Sequence, residues 1–122
     1  MEDFKIAGII VILYLTSLLV GLRFYTITSG SMGELLPIGS LVIAYPGKVE
    51  KGRLVAFKSP KSQEVIIHRV VGVTLLANEQ HFVTKGDINP VLDPWLLKNE
   101  EIEGVVLVKI PLLGYMLNTL RN

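Results

Sequence analysis

Three residue types that cooperate in acyl transfer occur along this 122-residue chain in a usable order: serine at Ser31, histidine at His68, and aspartate at Asp87 and Asp93. Serine is a weak nucleophile until a base takes its proton, and imidazole is the side chain best suited to that work near neutral pH. Ser31 stands in Ser29-Gly30-Ser31-Met32. There Gly30 permits a sharp turn and leaves room for a carbonyl group, and the Ser31 backbone N–H can face that carbonyl. The ordinary use of such a stretch is a hairpin connection. His68 lies in Ile66-Ile67-His68-Arg69-Val70-Val71, where strand alternation puts Ile66, His68 and Val70 on one face. A histidine among aliphatics is ordinarily a satisfied structural residue. Asp87 follows Lys85-Gly86 in a tight turn, where aspartate commonly bonds its own backbone, and Asp93 lies between Leu92 and Pro94. Either carboxylate can orient an imidazole and stabilise the imidazolium it becomes. Spacing alone does not choose between them.

Composition removes other chemistries. The absence of cysteine excludes disulfides, thiolate catalysis and cysteine-ligated zinc. With His68 and His81 the only histidines, and no HExxH spacing, a protein-built metal site is poorly supported. No metal or organic cofactor is called for. His81, beside Gln80 at the start of a strand, reads as a solvated residue. A formal charge of +1 without a Lys/Arg cluster argues against nucleic acid as a partner.

These groups must be positioned by a chain with room for one domain. Half of it is hydrophobic, and its mean hydropathy of +0.50 is high for a soluble domain of this size. Ile6–Leu22 carries no charge. As a helix it rises ~25 Å, approaching the ~30 Å hydrocarbon core once Phe4 and Lys5 are added. The run predicts an uncleaved single-pass membrane anchor over residues 1–24, with Lys5 at one interface and Arg23, Phe24 and Tyr25 at the other. The flanking charges set its orientation only weakly. Residues 25–122 then read as a mainly β domain. Strands are expected over Tyr25–Thr28, Leu41–Tyr45, Arg53–Phe57, Glu64–Leu76, His81–Lys85 and Gly104–Ile110. A turn is expected over Ala77–Gln80, a bulge or bend at Gly72, and a short amphipathic helix over Pro111–Leu120.

Five blocks follow one another: the apolar anchor, Ser29-Gly30-Ser31-Met32, IHRVVG at 67–72, TKGDINPVLD at 84–93 and GVVLVKIPLLG at 104–114. In that order, from about Phe4 to Tyr115, they resemble type I signal peptidases. The resemblance is to the endoplasmic-reticulum and archaeal branch, because histidine stands where the usual bacterial enzyme has lysine. It implies an antiparallel signal-peptidase β domain after one N-terminal transmembrane helix, with the domain on the extracytoplasmic side. It further implies a serine endopeptidase that removes signal peptides from secreted or membrane-targeted precursors. Membrane lipid and subunits of a secretion complex are the other implied partners. Carried over by position, Ser31 is the nucleophile, His68 the base and Asp93 the acidic partner. Asp87 is a second acid that shapes the site or shares that role. Ser29, Ser31 and Met32 form the oxyanion and substrate-binding side.

The chain departs from the family's usual S-M-E-P and closing Gly-Asp. Met32 is followed by Gly33-Glu34, proline comes at Pro37, and Gly39 is followed by Ser40. With the nucleophile, base and both acids retained, the chain reads as a divergent active enzyme. These departures are the best support for the rival reading, a catalytically impaired membrane-anchored binding or assembly module on the same scaffold. A protease with a lysine base is a further reading, and would use Lys58 or Lys85.

Overall fold

The computed structural model describes residues 2–111. Helix α1 (Glu2–Leu19) leads into seven strands: β1 (Arg23–Thr26), β2 (Leu41–Tyr45), β3 (Leu54–Lys58), β4 (Val65–Leu76), β5 (Glu79–Lys85), β6 (Leu97–Lys98) and β7 (Ile102–Ile110). The strands form one sheet in the order β1-β2-β7-β3-β4-β5-β6, with every neighbouring pair antiparallel. This is the mainly β, antiparallel architecture with one N-terminal helix that the sequence predicts. The helix expected over Pro111–Leu120 lies, past Pro111, outside the described residues.

The N-terminal helix differs from expectation. It ends at Leu19 rather than Leu22 because Gly21, at φ +79°, turns the chain out of the helix. Gly21 N–H donates to Leu18 O (3.1 Å) and Leu22 N–H to Ser17 O (2.9 Å), a Schellman stop inside the apolar run. The start also moves, taking Glu2, Asp3 and Lys5 into the helix. Among the described residues no helix is long and apolar enough to cross a membrane, and the expected transmembrane span finds no support in α1. α1 nevertheless buries no residue, and its apolar side chains are exposed.

The core lies on both faces of β3. Val55 and Phe57 join Val49, Val70, Phe82, Leu97 and Val105 in one cluster. Ala56, pointing the other way, joins Ile27, Met32, Leu36, Val42 and Ile67 in a second. Ile66 and Val70 both belong with the first cluster, so the alternation along β4 sets His68 against that face, while Met32 packs with the second. Full burial of each large aliphatic or aromatic side chain contributes about 1.5–3 kcal/mol. The two clusters thus fix the strand that carries His68 and the loop that carries Ser31.

β4 and β5 form a hairpin whose pairing shifts between Val70 and Gly72, where the bend was expected. The turn is shorter than expected, only Ala77 and Asn78, both at positive φ, so β5 begins at Glu79. β6 was not foreseen. It pairs Lys98 with His81, and His81 is buried at 9% exposure rather than solvated. β5 pairs with β4 only from Arg69 onward, leaving Val65 to His68 without a strand partner on that side.

Candidate active site

The loop after β1 brings Ser31 to the place where β5 leaves β4. Ser31 Oγ lies 2.9 Å from His68 Nε2, although the two residues are 37 positions apart. His68 Nδ1 lies 2.7 Å from Asp93 Oδ2, with both side chains under a tenth exposed. An ionised carboxylate only accepts hydrogen bonds, so the proton on the ring belongs at Nδ1, donated to Asp93. Nε2 then presents its lone pair to the Ser31 hydroxyl. The Phe57 ring, edge-on at 6.2 Å between centroids, packs against the imidazole and restricts its tilt. Ser29 Oγ is 3.2 Å from Ser31 Oγ, which places the second hydroxyl beside the first.

Asp87 is held elsewhere. Arg69 Nε donates to its Oδ1 and Arg69 Nη2 to its Oδ2, each at 2.9 Å, and Arg69 Nη1 donates to Gly52 O. The hydrogen bonds from Arg69 hold the Asp87 carboxyl below the usual carboxylate range against the opposing effect of burial, with Lys85 adding to the lowering. The same bonds push the Arg69 guanidinium up. Stability from such an acid is fully present above the unfolded value of ~3.9 and is lost as pH falls through the lowered folded value. Asp87→Asn is therefore expected to be less stable than wild type by ~1 kcal/mol at pH 7, the upper end for a solvent-accessible pair. Urea unfolding at stepped pH should show that gap closing below pH ~4; a gap constant from pH 7 to 2.5 would mean the pair contributes nothing electrostatic.

The segment after β5 forms the other wall. Ile88 N–H donates to Ser31 O (3.2 Å) and Asp87 N–H to Met32 Sδ (3.4 Å). Lys85 Nζ donates to the carbonyls of Gly86, Asp87 and Asn89 at 3.0, 3.3 and 2.8 Å. That amine is committed to the loop and not to Ser31. Lys58 borders a different hollow, with Gln63, Glu100, Glu101 and Glu103.

Two glycines permit this closeness. Gly33, at φ +61°, turns the chain just behind Met32, and a Cβ there would meet Ile88 Cγ2 at 2.6 Å. That contact and the positive φ give a physical reason for glycine at this position. A Cβ on Gly86 would lie 2.7 Å from Ser31 O and 3.1 Å from His68 Nε2. Because Ser31 O is backbone, Gly86→Ala is expected to push the serine away from the ring. A misplacement of ~1 Å costs about 10²-fold in turnover. Wild-type kcat in a folded Gly86→Ala protein would contradict the close approach.

Beside Ser31 lies a groove of about 260 Å³ lined by Phe24, Tyr25, Thr26 and Ile27 on one side and Val65, Ile66 and Ile67 on the other. β1 is the outermost strand of the sheet, and Val65 to Ile67 have no partner on the β5 side. Two unpaired strand edges thus flank the hydroxyl.

The structure brings together Ser29, Ser31, His68 and Asp93, with Met32 packed behind the serine, and it pairs Asp87 with Arg69. Sequence reasoning missed Thr84, which is fully buried and donates through Oγ1 to Asp93 Oδ2 at 2.6 Å, and it missed Gly86 as a point of contact. Both stand in the T-K-G-D stretch, which was the signal available.

Residues 1–74, which include Ser31 and His68, match the family described as signal peptidase, peptidase S26. An uncharacterized protein of Methanocaldococcus jannaschii is 38% identical over 64 residues, covering 47% of this chain and 32% of that protein. The match therefore spans about a third of the relative's length. With the family match running over more than half of its residues, the chain belongs to the signal peptidase family, peptidase S26.

Proposed function

We propose that this protein is a membrane-bound serine endopeptidase of the Ser/His type found in the endoplasmic-reticulum and archaeal branch, removing signal peptides from secreted or membrane-targeted precursors. The observation that carries the reading is the aligned set Ser31 Oγ, His68 Nε2, His68 Nδ1 and Asp93 Oδ2, spaced at 2.9 and 2.7 Å. His68 Nε2 takes the Ser31 proton as Oγ attacks the scissile carbonyl carbon. Asp93 holds the ring in the working tautomer and balances its new charge. The oxyanion is met by the Ser31 N–H and the Ser29 hydroxyl, donors of a kind worth about 10²–10³-fold each. The C–N bond breaks as Nε2 gives the proton to the leaving amine, and water, activated by the same nitrogen, hydrolyses the Ser31 ester.

An extended precursor segment fits between the free edges of β1 and β4 and pairs with them as an added strand. The exposed apolar side chains of α1 hold the domain against lipid, on the extracytoplasmic side. The test is incubation of the purified chain, in detergent micelles, with a precursor carrying an N-terminal signal. One new N-terminus after a small residue, and a transient acyl adduct on Ser31 by mass spectrometry, are expected. An intact precursor with Ser31 never modified would sink the reading and leave a module that holds precursors without cutting them.

A further inference from the structure

We infer that Thr84 is a positioning residue for the Asp93–His68 pair, a fourth member of the hydrogen-bonded chain that begins at Ser31; the inference rests on the endopeptidase reading. Thr84 is the second-last residue of β5 and has no exposed surface. Its Oγ1 donates to Asp93 Oδ2 at 2.6 Å, the oxygen that also faces His68 Nδ1 at 2.7 Å. The backbone adds a second link, from Asp93 N–H to Thr84 O at 2.9 Å.

These two bonds act on different degrees of freedom. The backbone bond closes the loop between the residues and brings the Asp93 Cα back to the end of β5. It leaves the carboxylate free to rotate about its side-chain torsions. The Thr84 hydroxyl removes that freedom by fixing Oδ2 between two donors. Threonine's branched Cβ holds its own χ1 in a strand, so the donor is preorganised. Oδ2 then meets Nδ1 in line, and the ring directs Nε2 at Ser31. Thr84 touches neither substrate nor Ser31, so it works only through Asp93.

Thr84→Val keeps the shape and removes the donor, whereas Thr84→Ser keeps the donor. A hydrogen bond to a charged group corresponds to about 10–100-fold. In the precursor-cleavage assay, Thr84→Val is expected to lower kcat by that factor with KM within about twofold. Thr84→Ser should recover most of the loss. The His68 Nδ1 proton resonance should move or broaden in Thr84→Val and return in Thr84→Ser. Wild-type kcat in a folded Thr84→Val protein would overturn the inference. So would equal losses in both variants, which would assign Thr84 to packing alone. Should the wild-type chain cleave nothing, the endopeptidase reading falls separately, and the Nδ1 resonance still decides: a signal unchanged in Thr84→Val ends the case for positioning.

Discussion

Ser31→Ala is expected to lower precursor cleavage by about 10⁵–10⁶-fold, the scale on which a serine–histidine pair fails when either member is removed. The substitution deletes the only atom of residue 31 that reaches His68, and it deletes nothing from either core cluster. His68, Asp93 and Thr84 keep their mutual bonds. Thermal unfolding should therefore stay close to wild type while turnover disappears. Precursor affinity should also survive, since the two strand walls of the groove, Phe24 to Ile27 and Val65 to Ile67, are untouched. The measurement is single-turnover cleavage with binding followed separately. Residual cleavage within tenfold of wild type would move the nucleophile away from Ser31.

Asp93→Asn is expected to cost about 10⁴-fold in kcat, through the tautomer and not through geometry. An amide of the same shape can turn its NH₂ group to His68 Nδ1. The ring then accepts at Nδ1, carries its proton on Nε2, and has no lone pair for the Ser31 hydroxyl. Asp87→Asn should cost far less, because the Asp87 carboxylate is bound by Arg69 and has no hydrogen bond to the imidazole. Kinetics of both variants at one pH separate the two acids. Equal losses would mean that Asp87 shares the task after all.

Ser31 and His68 were legible because a nucleophile and its base need particular residue types, and those types stand in recognisable blocks. The acid was legible only through the family resemblance, which pointed to Asp93, since Asp87 and Asp93 leave β5 on one loop and sequence spacing cannot show which way a carboxylate turns. The deciding contacts, Thr84 O with Asp93 N–H and Arg69 with Asp87, are tertiary. The β strands were read from their β-branched runs, but their ends were not. β5 began early because the two-residue turn uses Ala77 and Asn78 at φ 51° and 65°. Alanine rarely takes that conformation, so the usual Asn-Gly signal was missing. Leu97 and Lys98 are too few to show a period, yet the strand they form covers His81 and reverses the reading of that residue. In the apolar run, counting hydrophobic residues hid Gly21, and backbone geometry ended the helix where composition would have continued it.

The place where β5 leaves β4 has one more consequence. From Arg69 onward the hydrogen-bonding edge of β4 is taken by β5, and only Val65 to His68 remain open. A guest strand laid on that edge has ~13 Å of track, at ~3.3 Å per residue, before it meets β5 as an abutment. Sliding by one position would turn every guest side chain to the opposite face. On the proposed endopeptidase reading, the end of β5 acts as a gauge block that sets which peptide bond of an extended precursor comes to rest over Ser31.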